Sequence, residues 1–395
     1  FAGAAARAEQ ARTYSPGSLR PETARALYGA ELHFSSSRID VLAGCHFAHF
    51  LQYGLRAQER EPAEFDSRFY GTFVHDVLEY IVQQTEREGG FAAVPRSRVQ
   101  ELAQERMEQN AQTLLETFPD SGRTGYLLRR TFDEVTQVVD ELYDELSVSA
   151  FRPKFCELEF SARGALPGVA FAGERCRGVV EGFVDRVDVW QSGGRPYVRV
   201  VDYKTGKKSF DYTNVLHGRG LQMLLYLFAL VRQGGHLLHG EPLPAGVLYF
   251  PARIERVSVR DRLAQAEIEK ERRKQLRRSG VLLNSDPVLE AMEPCGGSPR
   301  FLPYTLDKEG RKTGDLASFA QLAQLERFVF RTVAALGDEL ADGRIDPDPC
   351  IRDAKDSACA FCPYSEICAG HEQPRWLKKI TAEEFWQTLE RREHG

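Results

Sequence analysis

Asp185 and Asp202 stand in two segments whose residues alternate in character like β-strands, ArgGlyValValGluGlyPheValAspArgValAspValTrp (177–190) and TyrValArgValValAspTyr (197–203), and Lys204 directly follows the second. A period of two puts Val198, Val200, Asp202 and, one residue further, Lys204 on one face. GlnSerGlyGlyArgPro (191–196) reads as a six-residue connection whose two glycines favour an antiparallel hairpin. If Trp190 pairs with Tyr197, the register sets Asp185 directly opposite Asp202. Opposed side chains have Cβ atoms about 4.5–5.5 Å apart, so two carboxylates there need a cation between them. Hard oxygen ligands at that separation suit Mg²⁺ or Mn²⁺. Such an ion activates water and neutralises a scissile phosphate, with Lys204 beside the transition state; the chemistry is phosphodiester hydrolysis. The competing expectation is a surface hairpin with ordinary solvated pairs. Arg186 and Asp188, one register away, are expected to be such pairs, and Asp202 is expected to be exposed. A one-residue slip would remove the opposition.

Four of the eight cysteines fall between residues 350 and 368. Cys359-x2-Cys362-x5-Cys368 offers three thiolates, and the fourth could come from Cys45, Cys350 or elsewhere. Structural zinc takes its ligands as two close pairs, whereas three plus one suits a Cys₄-ligated iron–sulfur cluster, so spacing favours the cluster. Cysteines without a metal are the alternative, which three thiols around Pro363 and Tyr364 disfavour.

These residues need elements to hold them. The 395 residues are 42% hydrophobic, enough for real cores, and Lys+Arg 52 against Asp+Glu 57 gives −5, so a nucleic-acid partner must be met by a local patch. No run approaches the roughly 18 apolar residues that span a bilayer, and no signal peptide opens the chain; a cytoplasmic location is expected. The opening FAGAAARAEQAR resembles the middle of a longer protein, so residues 1–34, without clear periodicity, are expected to be a linker. Residues 35–150 read as helical. Ser35–Ser37 can cap a helix carrying Ile39, Leu42, Ala43, Phe47, Phe50 and Leu51, with Cys45 inside it. Amphipathic helices follow at about 68–86, 98–117 and 128–147. Residues 151–251 read as an α/β core: strands at 154–160, 177–190, 197–203 and 245–251, and a long apolar helix from His217 to Arg232. Residues 252–395 return to helix, with the cysteines in a Pro-punctuated loop. Lys207 and Lys208, just after Lys204, are the favoured phosphate contacts, and the basic run Lys270–Arg278 is a second candidate.

GlyPheValAspArgValAsp (182–188), ValAspTyrLysThrGly (201–206), Gln222-Met-Leu-Leu-Tyr226 and, upstream, Gly71-Thr-Phe-Val-His75-Asp-Val-Leu-Glu79 resemble the RecB-like branch of the PD-(D/E)XK nucleases. The resemblance implies a restriction-endonuclease-type core, a mixed sheet flanked by helices. It further implies a metal held by His75, Asp185 and Asp202, a catalytic Lys204, and Gln222 and Tyr226 supporting the site and the DNA. Gln222 and Tyr226 are one helical turn apart and share a face. Glu157 matches a family acidic position, but strand parity does not separate it from Glu159.

Ser37–Leu55 around Cys45, SerAlaCysAlaPheCysProTyrSerGluIleCys (357–368) and residues 277–292 resemble the nuclease domain of the AddB-type subunit of bacterial AddAB helicase–nucleases. That resemblance implies a [4Fe-4S] cluster on Cys45, Cys359, Cys362 and Cys368, joining the N- and C-terminal helical segments, with Cys350 a bystander. His46 stands where the family usually has proline. No phosphate-binding loop of the Gly-x-x-x-x-Gly-Lys-Ser/Thr kind is present, so no ATPase is read. The implied activity is a Mg²⁺-dependent exonuclease acting 5′ to 3′ on single-stranded DNA at double-strand ends, partnered by an AddA-type subunit. Alternatives are a stand-alone RecB-like or CRISPR-associated exonuclease and a catalytically silent DNA-end module.

Overall fold

The computed structural model describes residues 3–5, 17–57, 67–117, 122–206, 209–254, 265–368 and 373–394. The site is positioned by a mixed sheet whose spine is one long strand. In chain order the elements are α1 (Pro21–Tyr28), β1 (Leu32–Ser35), α2 (Ser36–Gly44), α3 (His46–His49) running into a π-turn at Phe50–Gly54, α4 (Ser67–Arg87), α5 (Arg96–Thr117) and α6 (Gly122–Leu146). The core follows with β2 (Arg152–Phe160), β3 (Val169–Ala172), β4 (Arg177–Ser192), β5 (Arg195–Lys204), α7 (Tyr212–Leu216), α8 (Gln222–Gln233), α9 (Gly235–Leu238) and β6 (Leu243–Pro251). Then come α10 (Gln265–Gln275), β7 (Ser279–Leu283), α11 (Asp286–Met292), β8 (Tyr304–Leu306), β9 (Lys312–Gly314), β10 (Leu316–Ala317), α12 (Phe319–Ala341), β11 (Cys350–Ile351), β12 (Arg375–Trp376) and α13 (Ala382–His394).

The sheet order is β1-β4-β5-β6-β7-β10, with β2 and β3 also on β4. The first half of β4 pairs with β1 and β3, and the second half with β2 and β5. β5 and β6 are parallel, so their C-terminal ends open on the same edge. Helix α8 packs on β5 and β6 with α12 behind it, and α4 crosses β2 and β4 with α5 and α6 alongside. The run of α8 from Met223 to Leu230 is buried throughout, which explains a helix with hardly a polar face. Among the described residues no helix is long and apolar enough to cross a membrane.

Several expectations are corrected. The linker reading of residues 1–34 fails over 21–34, which form α1 and β1, and β3 and β7 are further strands not anticipated. The hairpin connection is shorter than six residues. β4 runs on to Ser192, β5 starts at Arg195, and Gly193 and Gly194 make the turn at φ 57° and 75°, a pair of positive values that glycine adopts without penalty. The helix expected from His217 starts only at Gln222, because Gly218 and Gly220 take positive φ, and the short α7 precedes that break. Cys45 is not inside a helix: Ser35 caps α2 by accepting from the Arg38 amide at 3.2 Å, and Cys45 itself is extended at φ −167°, ψ 123°, ending α2 and opening α3.

The largest correction concerns Arg186 and Asp188, which are fully buried and not solvated. Asp188 accepts from Arg186 (2.7 and 2.9 Å) and from Arg199 (2.8 Å), while Glu145 of α6 accepts from Arg199 (3.0 Å) and Arg278 (2.9 Å). Arg186 also donates to the Tyr203 hydroxyl at 2.9 Å. The three guanidiniums hold the Glu145 carboxyl down to about 2 against the upward push of burial. Asp188→Ala would leave the buried Arg186 without its close carboxylate and Arg199 with Glu145 alone, and breaking a buried pair in this way costs about 3–5 kcal/mol. A lower urea midpoint at unchanged slope is the expected result, whereas Arg98→Ala, in an exposed pair with Glu88, should leave the midpoint nearly unmoved.

Candidate active site

The β4–β5 register is the one the alternation predicts: Trp190 pairs with Tyr197, Val187 with Val200 and Arg186 with Val201. Asp185 and Asp202 therefore follow as neighbours at the end of the ladder. The link is closed by the Tyr203 amide, which donates to Asp185 Oδ2 at 2.6 Å. Asp202 is 4% exposed, not the open carboxylate expected, and forms an ion pair with Lys204. The Lys204 ammonium also sits 5.9 Å from the Tyr249 ring centre.

His75 comes in from α4. Its Nε2 lies 2.8 Å from the Tyr203 carbonyl oxygen, which can only accept, so Nε2 carries the hydrogen and Nδ1 keeps its lone pair. That Nδ1 is 3.5 Å from Asp185 Oδ2, two electron-rich atoms face to face. Burial lowers the pKa of His75, keeping the imidazole neutral. Among the described residues, His75, Glu157 and Asp185 each bring a ligand atom to within 4.8 Å of the others. Burial first, and then Asp202, holds the Asp185 carboxyl well above the ordinary range; burial, then Glu79 and Asp202, raises Glu157. A neutral imidazole and buried, mutually repelling carboxylates form a donor set that fits a divalent cation.

Glu157 enters this group through a backbone feature that the amino-acid sequence does not show. Its strand neighbours Cys156 and Leu158 pair with Arg186 and Val184, leaving Glu157 across from Asp185, at a left-handed φ of 48°. The register is continuous through it, so Glu157 faces Asp185 at the site, while Glu159, across from Phe183, takes a hydrogen bond from Ser161 at 2.6 Å. A non-glycine strained at a cluster of carboxylates is the pattern of a functional position. Tyr203 was also not singled out, because its contribution is made by its main chain, with the amide on Asp185 and the carbonyl on His75.

Tyr226 is buried on α8, with its hydroxyl 3.4 Å from the Glu181 carbonyl oxygen, close to Gly182; a side chain at that glycine would collide with the hydroxyl. Tyr226 supports the spine of β4. Gln222 opens α8, half-buried, on the same face one turn earlier. Lys207 and Lys208 lie outside the described residues. The basic run is partly structural: Arg278 is buried against Glu145, and Arg277 donates to the carbonyls of Leu302 (3.0 Å) and Tyr304, leaving Lys270, Arg273 and Lys274 as its exposed cations.

Cys45, Cys359, Cys362 and Cys368 line one cavity of about 260 Å³, whose other walls include Phe47, Pro347, Pro349 and Tyr364. Cys350 is not among them; it is buried with its thiol 3.3 Å from the Ala43 carbonyl oxygen. Four thiols on a small, largely apolar cavity fit a Cys₄-bound group. Burial pushes the Cys45 thiol up to about 11, opposed by amides of Ala48, Phe47 and Asp348 directed at the sulfur. His46, in the place of the usual proline, is clamped between acids. Its Nδ1 is 2.9 Å from Asp348 Oδ2, its Nε2 is 2.9 Å from Glu339, and its amide donates to Asp348 at 3.0 Å.

A family model described as the PD-(D/E)XK nuclease superfamily matches residues 33–369. Curated relatives named as the B-type component of an ATP-dependent helicase/deoxyribonuclease are similar along most of the chain. The one from Moorella thermoacetica is 34% identical over 357 residues, covering 89% of this chain and 31% of the relative. The one from Caldanaerobacter subterraneus subsp. tengcongensis is 31% identical over 366 residues, covering 88% and 30%, and that from Thermoanaerobacter sp. is 29% identical over 379 residues, covering 92% and 33%. The chain spans about a third of the length of the curated relatives it matches.

A raised carboxyl such as Asp185 stabilises the fold fully below the unfolded pKa, and that stability is lost as pH rises through the folded value. Added Mn²⁺ or Mg²⁺ should therefore raise the melting temperature more near pH 8 than near pH 5, where protons compete for the same oxygens. Scanning calorimetry is expected to show this gain in the wild type and its absence in Asp185→Asn.

Proposed function

The chain belongs to the PD-(D/E)XK nuclease superfamily, and on that premise we propose that it is the nuclease portion of a helicase–nuclease subunit, hydrolysing single-stranded DNA from 5′ to 3′ at double-strand ends with Mg²⁺ or Mn²⁺. The observation that carries the reading is the convergence of His75, Glu157 and Asp185 beside the Asp202–Lys204 pair. His75, Glu157, Asp185 and Asp202 would hold the divalent cation. When bound, such an ion lowers the pKa of water and offsets charge on the scissile phosphate.

The chain's own residues do the rest. Tyr203 fixes Asp185 through its amide and His75 through its carbonyl, so both ligands are oriented before substrate arrives. Asp202 holds the Lys204 ammonium at the C-terminal edge of β5, where it stabilises charge on the phosphoryl oxygens as the water oxygen bonds to phosphorus and the ester bond breaks. The burial of this edge lowers the local dielectric and strengthens that contact.

Cys45, Cys359, Cys362 and Cys368 would hold a [4Fe-4S] cluster, on the support of their shared cavity. It would bind the N-terminal and C-terminal parts of the domain together around the nuclease core. The relatives' names supply the helicase context and imply a companion chain, here of the AddA type.

Asp202→Asn should abolish metal-dependent release of nucleotides from single-stranded DNA without unfolding the protein, and Lys204→Ala should lower kcat by about 10²–10³-fold with little change in the metal concentration required. Full activity in Asp202→Asn overturns the assignment. End-labelled substrates report polarity directly. Cys45→Ala should lose bound iron and brown absorbance while Cys350→Ala keeps both; stoichiometric zinc in the wild type would overturn the cluster.

A further inference from the structure

The turn that carries three of the cavity cysteines also carries exposed apolar side chains. Phe361, between Cys359 and Cys362, is 96% exposed, Ile367 is 64% exposed and Trp376 is 70% exposed. Large apolar groups scattered singly over a surface need no explanation, but three within one short stretch do.

Trp376 is held on a rigid base. In β12 it pairs with Ile351 of β11, and Ile351 bridges to Ser357, where the cysteine turn begins. Adjacent strands lie about 4.8 Å apart, which places Trp376 two spacings, about 10 Å, from that turn. Its neighbours are fixed inward. Arg375 donates to the carbonyls of Asp348 (2.9 Å) and Ala43 (2.8 Å), and Leu377 is buried with its amide on the Ile351 carbonyl at 2.8 Å. Alternation then turns the indole to solvent between a half-buried Arg375 and a buried Leu377. Lys378 and Lys379 follow, both exposed. Glu384 lies near Lys378, but its carboxylate accepts the Thr381 amide at 2.8 Å as a helix cap for α13.

We propose that Trp376, Lys378 and Lys379 form a stacking platform for single-stranded nucleic acid on the outer side of the cysteine turn. Every base has a π-face, so an ordered ring accepts any base, and the adjacent ammoniums favour a polyanion over an apolar protein surface. Because the backbone under the ring is already fixed by β11 and β12, only side-chain ordering is lost on binding. The platform also has a route to the active-site strand. Arg352, next to Ile351, donates at 2.9 Å to Asp211, the cap of α7, which is the first helix after β5. The proposal rests on the nuclease reading, since it takes a single strand to be the substrate.

The experiment uses the full chain with Ca²⁺ in place of Mg²⁺ and a labelled oligothymidylate. Trp376→Ala should weaken binding by about 5- to 100-fold, the usual value of one stacked base, while Trp376→Phe retains most of it. Lys378→Ala with Lys379→Ala should reduce the slope of log affinity against log salt by about 1.4. Of the three tryptophans, Trp386 is buried and Trp190 half-buried, so quenching of wild-type emission by the oligonucleotide should disappear in Trp376→Ala. Wild-type affinity and unaltered quenching in Trp376→Ala overturn the platform. If wild type and variants alike bind with Ca²⁺ and cleave once Mg²⁺ replaces it, the nuclease reading survives that loss. If the wild type neither binds with Ca²⁺ nor cleaves with Mg²⁺, both fail. Loss of a protein partner by Trp376→Ala, with oligonucleotide binding unchanged, also overturns it.

Discussion

The pairing of β4 with β5 is the constraint on which the rest depends, because one ladder sets two different chemistries on the two faces of the same strands. Arg186, Asp188, Arg199 and Tyr203 share the face that meets Glu145 of α6, while Asp185 and Asp202 share the other. A slip of one residue would exchange the faces, burying the Asp185 and Asp202 carboxylates under α6 and turning Arg186, Asp188 and Arg199 toward the proposed site. The Gly193–Gly194 turn permits this register, and the buried ions penalise every other one. A buried ionic network is weak support for net stability, but removing any member is costly, so its value here is in fixing the register.

Tyr203 joins the two faces. Its hydroxyl is held by Arg186 on the buried side, and its amide and carbonyl hold Asp185 and His75 at the site. A side chain locked in the core thereby orients backbone groups that orient ligands. The Asp185 and Glu157 carboxyls are held in the opposite sense, raised by burial and then by neighbouring carboxylates, so the site as folded is destabilised for want of positive charge. That tension, together with the left-handed backbone at Glu157, is concentrated where a cation and a phosphate would relieve it.

The two ends of the domain are brought together by more than the cysteines. His46 is bound to Asp348 and Glu339, and Arg344 and Arg375 also reach Asp348, at 3.1 and 3.2 Å. This latch positions Cys45 against the turn that carries the other three thiols. Closing so long a loop costs little more than closing a shorter one, because the entropy grows only as the logarithm of length. The histidine in place of proline has a definite structural purpose in this chain, since proline could supply neither the ring nitrogens nor the amide that Asp348 accepts.

The strand alternation over 177–190 and 197–203 was enough to place Asp185 beside Asp202, because a two-residue period and a glycine turn admit few registers. The helices of residues 68–147 were legible for the same reason, a strong 3.6-residue period. The spacing Cys359-x2-Cys362-x5-Cys368 showed three of the four thiols; that Cys45 and not Cys350 joins them in the cavity was legible only through resemblance, and the fold separates the two by burying Cys350 against Ala43. Three things were decided by tertiary structure alone. Glu157 was chosen over Glu159 by the pairing of β2 with β4, which sets Glu157 across from Asp185 and Glu159 across from Phe183, and which no alternation within β2 encodes. Arg186 and Asp188 were turned from expected surface groups into buried ones by α6, whose Glu145 is distant in sequence. Cys45 was taken out of its helix by its own extended backbone, which separates α2 from α3. Local periodicity reports which face a residue occupies, but what covers that face depends on segments far along the chain, and there the local pattern carries no information.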